Sequence, residues 1–171
     1  MVSYILAVLA AVGIFVADRL TKAYVVGEFA LAESRTFIPG ILDFTYVHNK
    51  GGAWGLLSGH TWLLVSVTVI VMVICLCLLI TKGVKNKPLF WAITLVLSGG
   101  LGNLVDRIFN GGTVIDFLHL HFMPDFPVFN IADCAVVIGA LLLIIYLIID
   151  IAIDHRKVSA ESSKKENASN E

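Results

Sequence analysis

The chain has 171 residues, of which 58% are hydrophobic and only 15% charged, with a formal net charge of -1. That usage excludes an ordinary soluble domain, and a charge so near zero leaves neither a basic field for nucleic acid nor the acidic bulk of a solvated, disordered chain. The bilayer is the expected solvent.

A helix needs about 20 apolar residues to cross the hydrocarbon core. The first such run covers residues 2–17 and continues into Asp18, Arg19 and Lys22. No basic residue precedes it and no small-residue cleavage site follows, so it is expected to be a retained span rather than a removed leader. The loop after it, residues 27–60, has a strand-like alternation over 37–47, and Gly51, Gly52 and Gly55 bracket a turn around Trp54. A small extramembrane sheet is expected there. Further apolar runs cover 62–81, 88–102 and 132–149; the third ends in Asn103, Asp106 and Arg107, and the fourth is preceded by Asn130 and carries Asp133 near its start. Cys75, Cys77 and Cys134 belong to these runs without the spacing of a zinc site, and read as small buried hydrophobes.

Short loops rich in Lys and Arg stay cytoplasmic. Lys82, Lys85 and Lys87 between the second and third runs, and Arg156, Lys157, Lys164 and Lys165 in the tail, therefore belong to one side. Two cytoplasmic ends require an even number of spans, which agrees with four. The expected fold is an all-α integral membrane protein of four transmembrane helices with a small extracytoplasmic β-like subdomain. Residues 1–155 form one polytopic domain and 156–171 a disordered cytoplasmic tail, both termini being inside.

With that topology the polar residues gather at one level. Asp18 and Lys22 are four apart; Asn103 precedes Asp106 by three and Arg107 by four; Asn130 precedes Asp133 by three, so each set shares a helix face. Charges in or near hydrocarbon are expensive and mark pathways or reaction sites. Interfacial ion pairs, or Asn130 acting only as a helix cap, are the structural alternatives for single residues. The whole set exceeds what a scaffold needs.

Asp116 and Asp133 are joined by a loop containing Pro124 and Pro127 that is long enough to bring their carboxylates together. Two carboxylates in a dry pocket share a proton, one serving as base toward water while the other polarises a carbonyl. Spacing alone leaves Asp106 and Asp18 open as members of the pair. His119 and His121, near Asp116 and Asp125, lack metal-ligand spacing and read as loop residues at the interface. Ser98 before Gly99 and Gly100 reads as a packing surface rather than a nucleophile. A proton-coupled transporter would spread its polar residues along a path through the membrane, whereas these lie toward one side.

Five segments, in order, resemble the bacterial lipoprotein signal peptidase (signal peptidase II) family: Asp18-Arg19-Leu20-Thr21-Lys22, Asn49 to Gly55, Gly99 to Arg107, Val114-Ile115-Asp116-Phe117, and Phe129-Asn130-Ile131-Ala132-Asp133. Gly52, where Ala is usual, and Leu101, where a small residue is usual, depart from the pattern. The resemblance implies an intramembrane aspartyl endopeptidase with Asp116 and Asp133 as catalytic dyad. It implies that Asp18, Lys22, Asn49, Asn103, Asp106, Arg107 and Asn130 shape the site or contact substrate, with Arg107 expected to be held by Asp18 or Asp106.

The implied substrate is a prolipoprotein bearing a diacylglyceryl group on its cysteine, cut just before that cysteine. The enzyme would be a monomer in the bacterial cell membrane, in contact with lipid, with its site toward the extracytoplasmic face. No metal or organic cofactor and no nucleic acid is implied, and inhibitors of the globomycin type would compete at the dyad. The loop at Gly51–Gly55 would flank the entrance and, with residues 114–129, clamp the substrate, Trp54 packing on lipid or signal helix.

Overall fold

A computed structural model describes residues 2–81 and 86–169, with side chains as far as Arg156. Lys82 and Lys85 of the basic loop lie outside the described residues. The elements run α1 (Val2–Glu28), β1 (Ser34–Ile38), β2 (Leu42–Asn49), a 3-10 turn (Ala53–Gly55), α2 (Thr61–Thr81), α3 (Lys87–Phe109), β3 (Val114–Leu120) and α4 (Ile131–Ser169). Four of these helices are long and apolar enough to cross a membrane.

Each of α1, α3 and α4 outruns its apolar stretch. At about 1.5 Å per residue, the 27 residues of α1 exceed a hydrocarbon core of about 30 Å by two turns, so the helix continues past Asp18, Arg19 and Lys22. Helix α3 likewise continues seven residues past position 102. Asn86 caps its start by accepting a hydrogen bond from the Leu89 amide, and Pro88 sits in its first turn. Helix α4 runs to Ser169. No Gly or Pro follows Gly139 before that point, so nothing in the sequence stops propagation.

Helix α3 is the axis of the bundle: 61% of its span is buried, against 11%, 6% and 6% for α1, α2 and α4. Its polar residues therefore face protein, while the other helices turn most of their surface to lipid. Glycines set how close the helices come. A Cβ on Gly99 would collide with the Ala132 carbonyl, and one on Gly139 would lie 2.8 Å from the Ala92 carbonyl. This is the small-residue packing of membrane helices. Ser98 belongs to the same surface, its hydroxyl donating to the Ala11 carbonyl at 2.6 Å. Cys75 is buried between α2 and α3, whereas Cys77 faces outward.

The three strands form one antiparallel sheet in the order β1-β2-β3. The strand-like stretch of the first loop becomes β2, but β3 comes from the second loop, which places His119 in a strand rather than a loop. His119 and His121 face Asp43, at 4.0 and 2.9 Å. Val25 and Phe29 at the end of α1 pack beneath Tyr46, Ile115 and Phe117, fixing the sheet on the bundle. Phe129 exchanges backbone hydrogen bonds with Leu118, so the chain enters α4 beside β3.

Candidate active site

Two polar constellations occupy the level where α1, α3, α4 and β3 meet. The first is an ion cluster. The Lys22 ammonium reaches Asp18 at 2.9 Å, Asp106 at 2.8 Å and the Asn103 carbonyl at 3.1 Å, which uses all three of its protons. Arg19 adds contacts of 2.6 Å to Asp106 and 3.2 Å to Asp18. The remaining acceptor sites point at backbone: Asp18 takes the Ala132 amide at the start of α4, and Asp106 takes the Ile115 amide of β3. Asp18, Lys22 and Asp106 are each at most 1% exposed. A Cβ on Gly102 would sit 2.9 Å from the Asp18 carboxylate, so this close approach requires glycine.

The second constellation is carried by three asparagines. Asn130 and Asp133 cap α4 reciprocally, each side chain accepting from the other's backbone amide at 2.9 and 3.1 Å. The Asn130 amide group donates to Asp116 at 2.6 Å and to the Asn103 carbonyl at 3.0 Å, and Asn103 donates to Asp133 at 2.7 Å. Asn49, at the end of β2, donates to the other Asp116 oxygen at 2.8 Å. Asp116 and Asp133 are thus tied together through Asn130 and Asn103, from a strand and a helix that follow one another in the chain.

Both carboxylates line one cavity of about 570 Å³, whose wall continues along Val136, Val137 and Ile138 of α4 and across Phe126 and Phe129. Burial, and after it the charge of Asp133, pushes the Asp116 carboxyl up to about 7, against the amides of Asn49 and Asn130 that favour its ionised form. Trp54 closes one side. Its backbone is left-handed, with φ of 53°, and its ring meets Phe126 edge-on at 6.0 Å. Gly52 beside it has φ of 70°, so glycine in place of alanine suits the turn. Leu101 is 40% exposed, and its side chain is accommodated at the lipid-facing surface.

The expected residues therefore divide. Asn49, Asn103 and Asn130 touch Asp116 or Asp133; Asp18, Lys22 and Asp106 pair among themselves and join the first set through Asn103. Arg107 requires a correction. It is not held by Asp18 or Asp106, since Arg19 takes that place. Arg107 instead lines the cavity with Asp116 and Asp133, with its Nε buried and without a hydrogen-bond partner among the described residues. The two arginines differ in what they reach: Arg19 on α1 contacts Asp18 and Asp106, whereas Arg107 on α3 lines the cavity with Asp116 and Asp133. Adjacency to Asp18 in the first polar run was the available signal for Arg19.

Four spans, a polar layer at one level and a cavity running from apolar helix surface to the Asp116 and Asp133 carboxyls define a polytopic membrane protein with a polar site at the end of an apolar cavity. Residues 10–149 match the family model described as Signal peptidase (SPase) II, and the chain belongs to that family. It is accordingly a membrane-embedded peptidase of a bacterial cell. A lipoprotein signal peptidase of Streptococcus pyogenes serotype M2 is 41% identical over 130 residues, covering 76% of this chain and 84% of the relative. One from Clostridium acetobutylicum is 39% identical over 141 residues, covering 81% and 90%. Among solved structures, a bacterial membrane enzyme determined by the in meso method superposes with a TM-score of 0.79 at 35% identity, covering 85% of this chain and 88% of that one.

Proposed function

We propose that this protein removes signal peptides from diacylglyceryl-modified prolipoproteins by cutting before the lipidated cysteine, with Asp116 and Asp133 as an aspartyl dyad. The observation that carries the reading is that both carboxylates stand at the polar end of one large, otherwise apolar cavity. An apolar wall along α4 suits a signal helix and its diacylglyceryl chains, both of which arrive within the bilayer.

The dyad holds one proton near neutral pH, because the Asp116 carboxyl is pushed up to about 7 and two adjacent carboxylates resist ionising together. The ionised member takes a proton from water as the water oxygen bonds to the scissile carbonyl carbon. The protonated member donates to the carbonyl oxygen. The C–N bond then breaks as the amine of the lipidated cysteine takes a proton, releasing the signal peptide with a new carboxylate. Asn49, Asn103 and Asn130 hold the carboxylates in place, and Arg107 supplies a cation to the cavity wall.

In this reading residues 1–155 act as one peptidase domain and a monomer suffices. Lys82, Lys85 and Lys87 with the basic tail put both termini in the cytoplasm and the dyad toward the extracytoplasmic face. A globomycin-type peptide competes for the cavity. The test is cleavage of a lipidated prolipoprotein by the purified protein in detergent with EDTA. Wild type should cut, and folded Asp116→Asn and Asp133→Asn variants should lose about 10²- to 10⁴-fold in rate. Either variant cutting at the wild-type rate would sink the dyad.

A further inference from the structure

Asp116 borders a second, smaller cavity of about 210 Å³, whose walls are Val47, Gly52, Trp54, Gly55, Pro127 and Val128, with Asn49 and Asp116 as its polar groups. No residue of the four spans contributes to it. It shares Asn49, Gly52, Trp54, Asp116, Pro127 and Val128 with the larger cavity, so that Val47 and Gly55 alone belong to it, while the larger cavity extends onto Asn103 and Arg107 of α3 and onto Asp133, Cys134 and Val136 to Ile138 of α4. One carboxylate is thus reached from two sides: along the lipid-facing helices, and through the extramembrane sheet and its loops.

Resting on the dyad reading above, we infer that the smaller cavity is the route by which hydrolytic water reaches the dyad, and that Val47 sets its width. A signal helix with two acyl chains fills the larger cavity and seals it against water from that side. Hydrolysis nevertheless needs one water at the carboxylates in each turnover. The smaller cavity holds about seven water volumes of about 30 Å³ each, and the two residues that line it alone, Val47 and Gly55, lie outside the α3 and α4 surface on which the substrate helix lies. Val47 pairs in register with Asp116 across β2 and β3, and cross-strand partners share a sheet face with Cβ atoms about 5 Å apart. A bulkier residue at 47 therefore grows into the space beside the Asp116 carboxylate. The walls offer apolar surface and small residues, and water that passes them meets the Asn49 amide and the Asp116 carboxyl together.

The test is a volume series, Val47→Leu, Val47→Phe and Val47→Trp, assayed on the lipidated prolipoprotein in detergent. The rate constant kcat should fall with side-chain volume, by tenfold or more for Trp, with KM within twofold of wild type. A kcat unchanged across the series overturns the inference. So does a rise in KM at constant kcat, which would make the smaller cavity a subsite for a substrate side chain. A Val47→Cys protein in the Asp133→Asn background covers the case in which the large variants fail to fold. Labelling of residue 47 by a charged, water-soluble methanethiosulfonate, read by peptide mass, should keep its rate within twofold when the lipidated substrate is bound. Tenfold protection by substrate overturns the route. Failure of the dyad reading is seen separately, as an Asp116→Asn protein that still cuts, whereas failure of the route appears with Asp116→Asn inactive and Val47→Trp fully active.

Discussion

The ion cluster of Asp18, Arg19, Lys22 and Asp106 and the pair Asp116 with Asp133 lie side by side, joined through Asn103, yet they are opposites in design. In the cluster two cations meet two anions, the carboxylates also accept backbone amides from Ala132 and Ile115, and little is exposed. In the pair two carboxyl groups line one cavity, held only by neutral amides, with one guanidinium on the wall. Buried charge that is balanced fixes structure; buried charge of one sign, left open to a cavity, is poised for proton transfer. The cluster aims the pair, because Asp18 holds the first turn of the helix that bears Asp133 and Asp106 holds the strand that bears Asp116.

The sharpest way to break this contrast is to remove the cation shared by the cluster. Lys22→Met leaves Asp18 and Asp106 with Arg19 alone, and breaking a buried pair by deleting one partner costs about 3–5 kcal/mol. Unfolding in detergent by denaturant titration should show that loss, whereas Asp116→Asn should unfold at or above the wild-type midpoint. Equal midpoints for Lys22→Met and wild type would mean that the cluster is not structural.

Arg107 is the next test, because the sequence reading and the structure assign it differently. Were it a partner of Asp18 or Asp106, its loss would unfold the protein. Lining the cavity instead, Arg107→Ala should keep its unfolding midpoint within about 1 kcal/mol and lose about 10²-fold in kcat, the scale of removing one donor that stabilises developing charge. Arg19→Ala should do the reverse, with the larger change in stability. A folded, fully active Arg107→Ala protein would remove Arg107 from the site.

Why one arginine was misplaced also explains how far the sequence could be read. The four spans and the common level of the polar residues follow from hydropathy and the reach of a helix, and these are local properties. That Asp116 and Asp133 line one cavity was legible because five segments recur in family order and because two acids separated by a turn-rich loop can meet. The strand β3 was not read, although Val114-Ile115-Asp116-Phe117 is β-branched and aromatic and follows Gly111-Gly112. Its strand character depends on pairing with β2, more than sixty residues earlier, and such pairing has no local signature. The same holds for which of two arginines faces Lys22, since helix rotation is set by packing against glycines such as Gly99 and Gly102 rather than by charge spacing.

The smallest expected effect concerns how the neutral amides tune the pair. Asp116, with an ordinary value near 3.8, is pushed up to about 7 by burial and then by Asp133, while the Asn49 amide opposes the shift. Between those two values the unfolded chain has released this proton and the folded chain keeps it, so the contribution of Asp116 to stability declines as pH rises through that window. In the proposed mechanism activity depends on the same proton. With one proton on the dyad as the working form, kcat/KM should fall on the alkaline side with a midpoint near 7. Asn49→Ala removes a donor that favours the carboxylate, so Asp116 should hold its proton to higher pH and the alkaline limb should move upward. Loss of the acceptor for the Gly51 amide alters the loop and lowers the overall rate, but it does not reverse the direction of that shift. A pH–rate profile of folded Asn49→Ala whose alkaline limb stays in place or moves down would show that the amides hold the carboxylates without tuning them, and the contrast between a balanced cluster and a tuned pair would reduce to one of position alone.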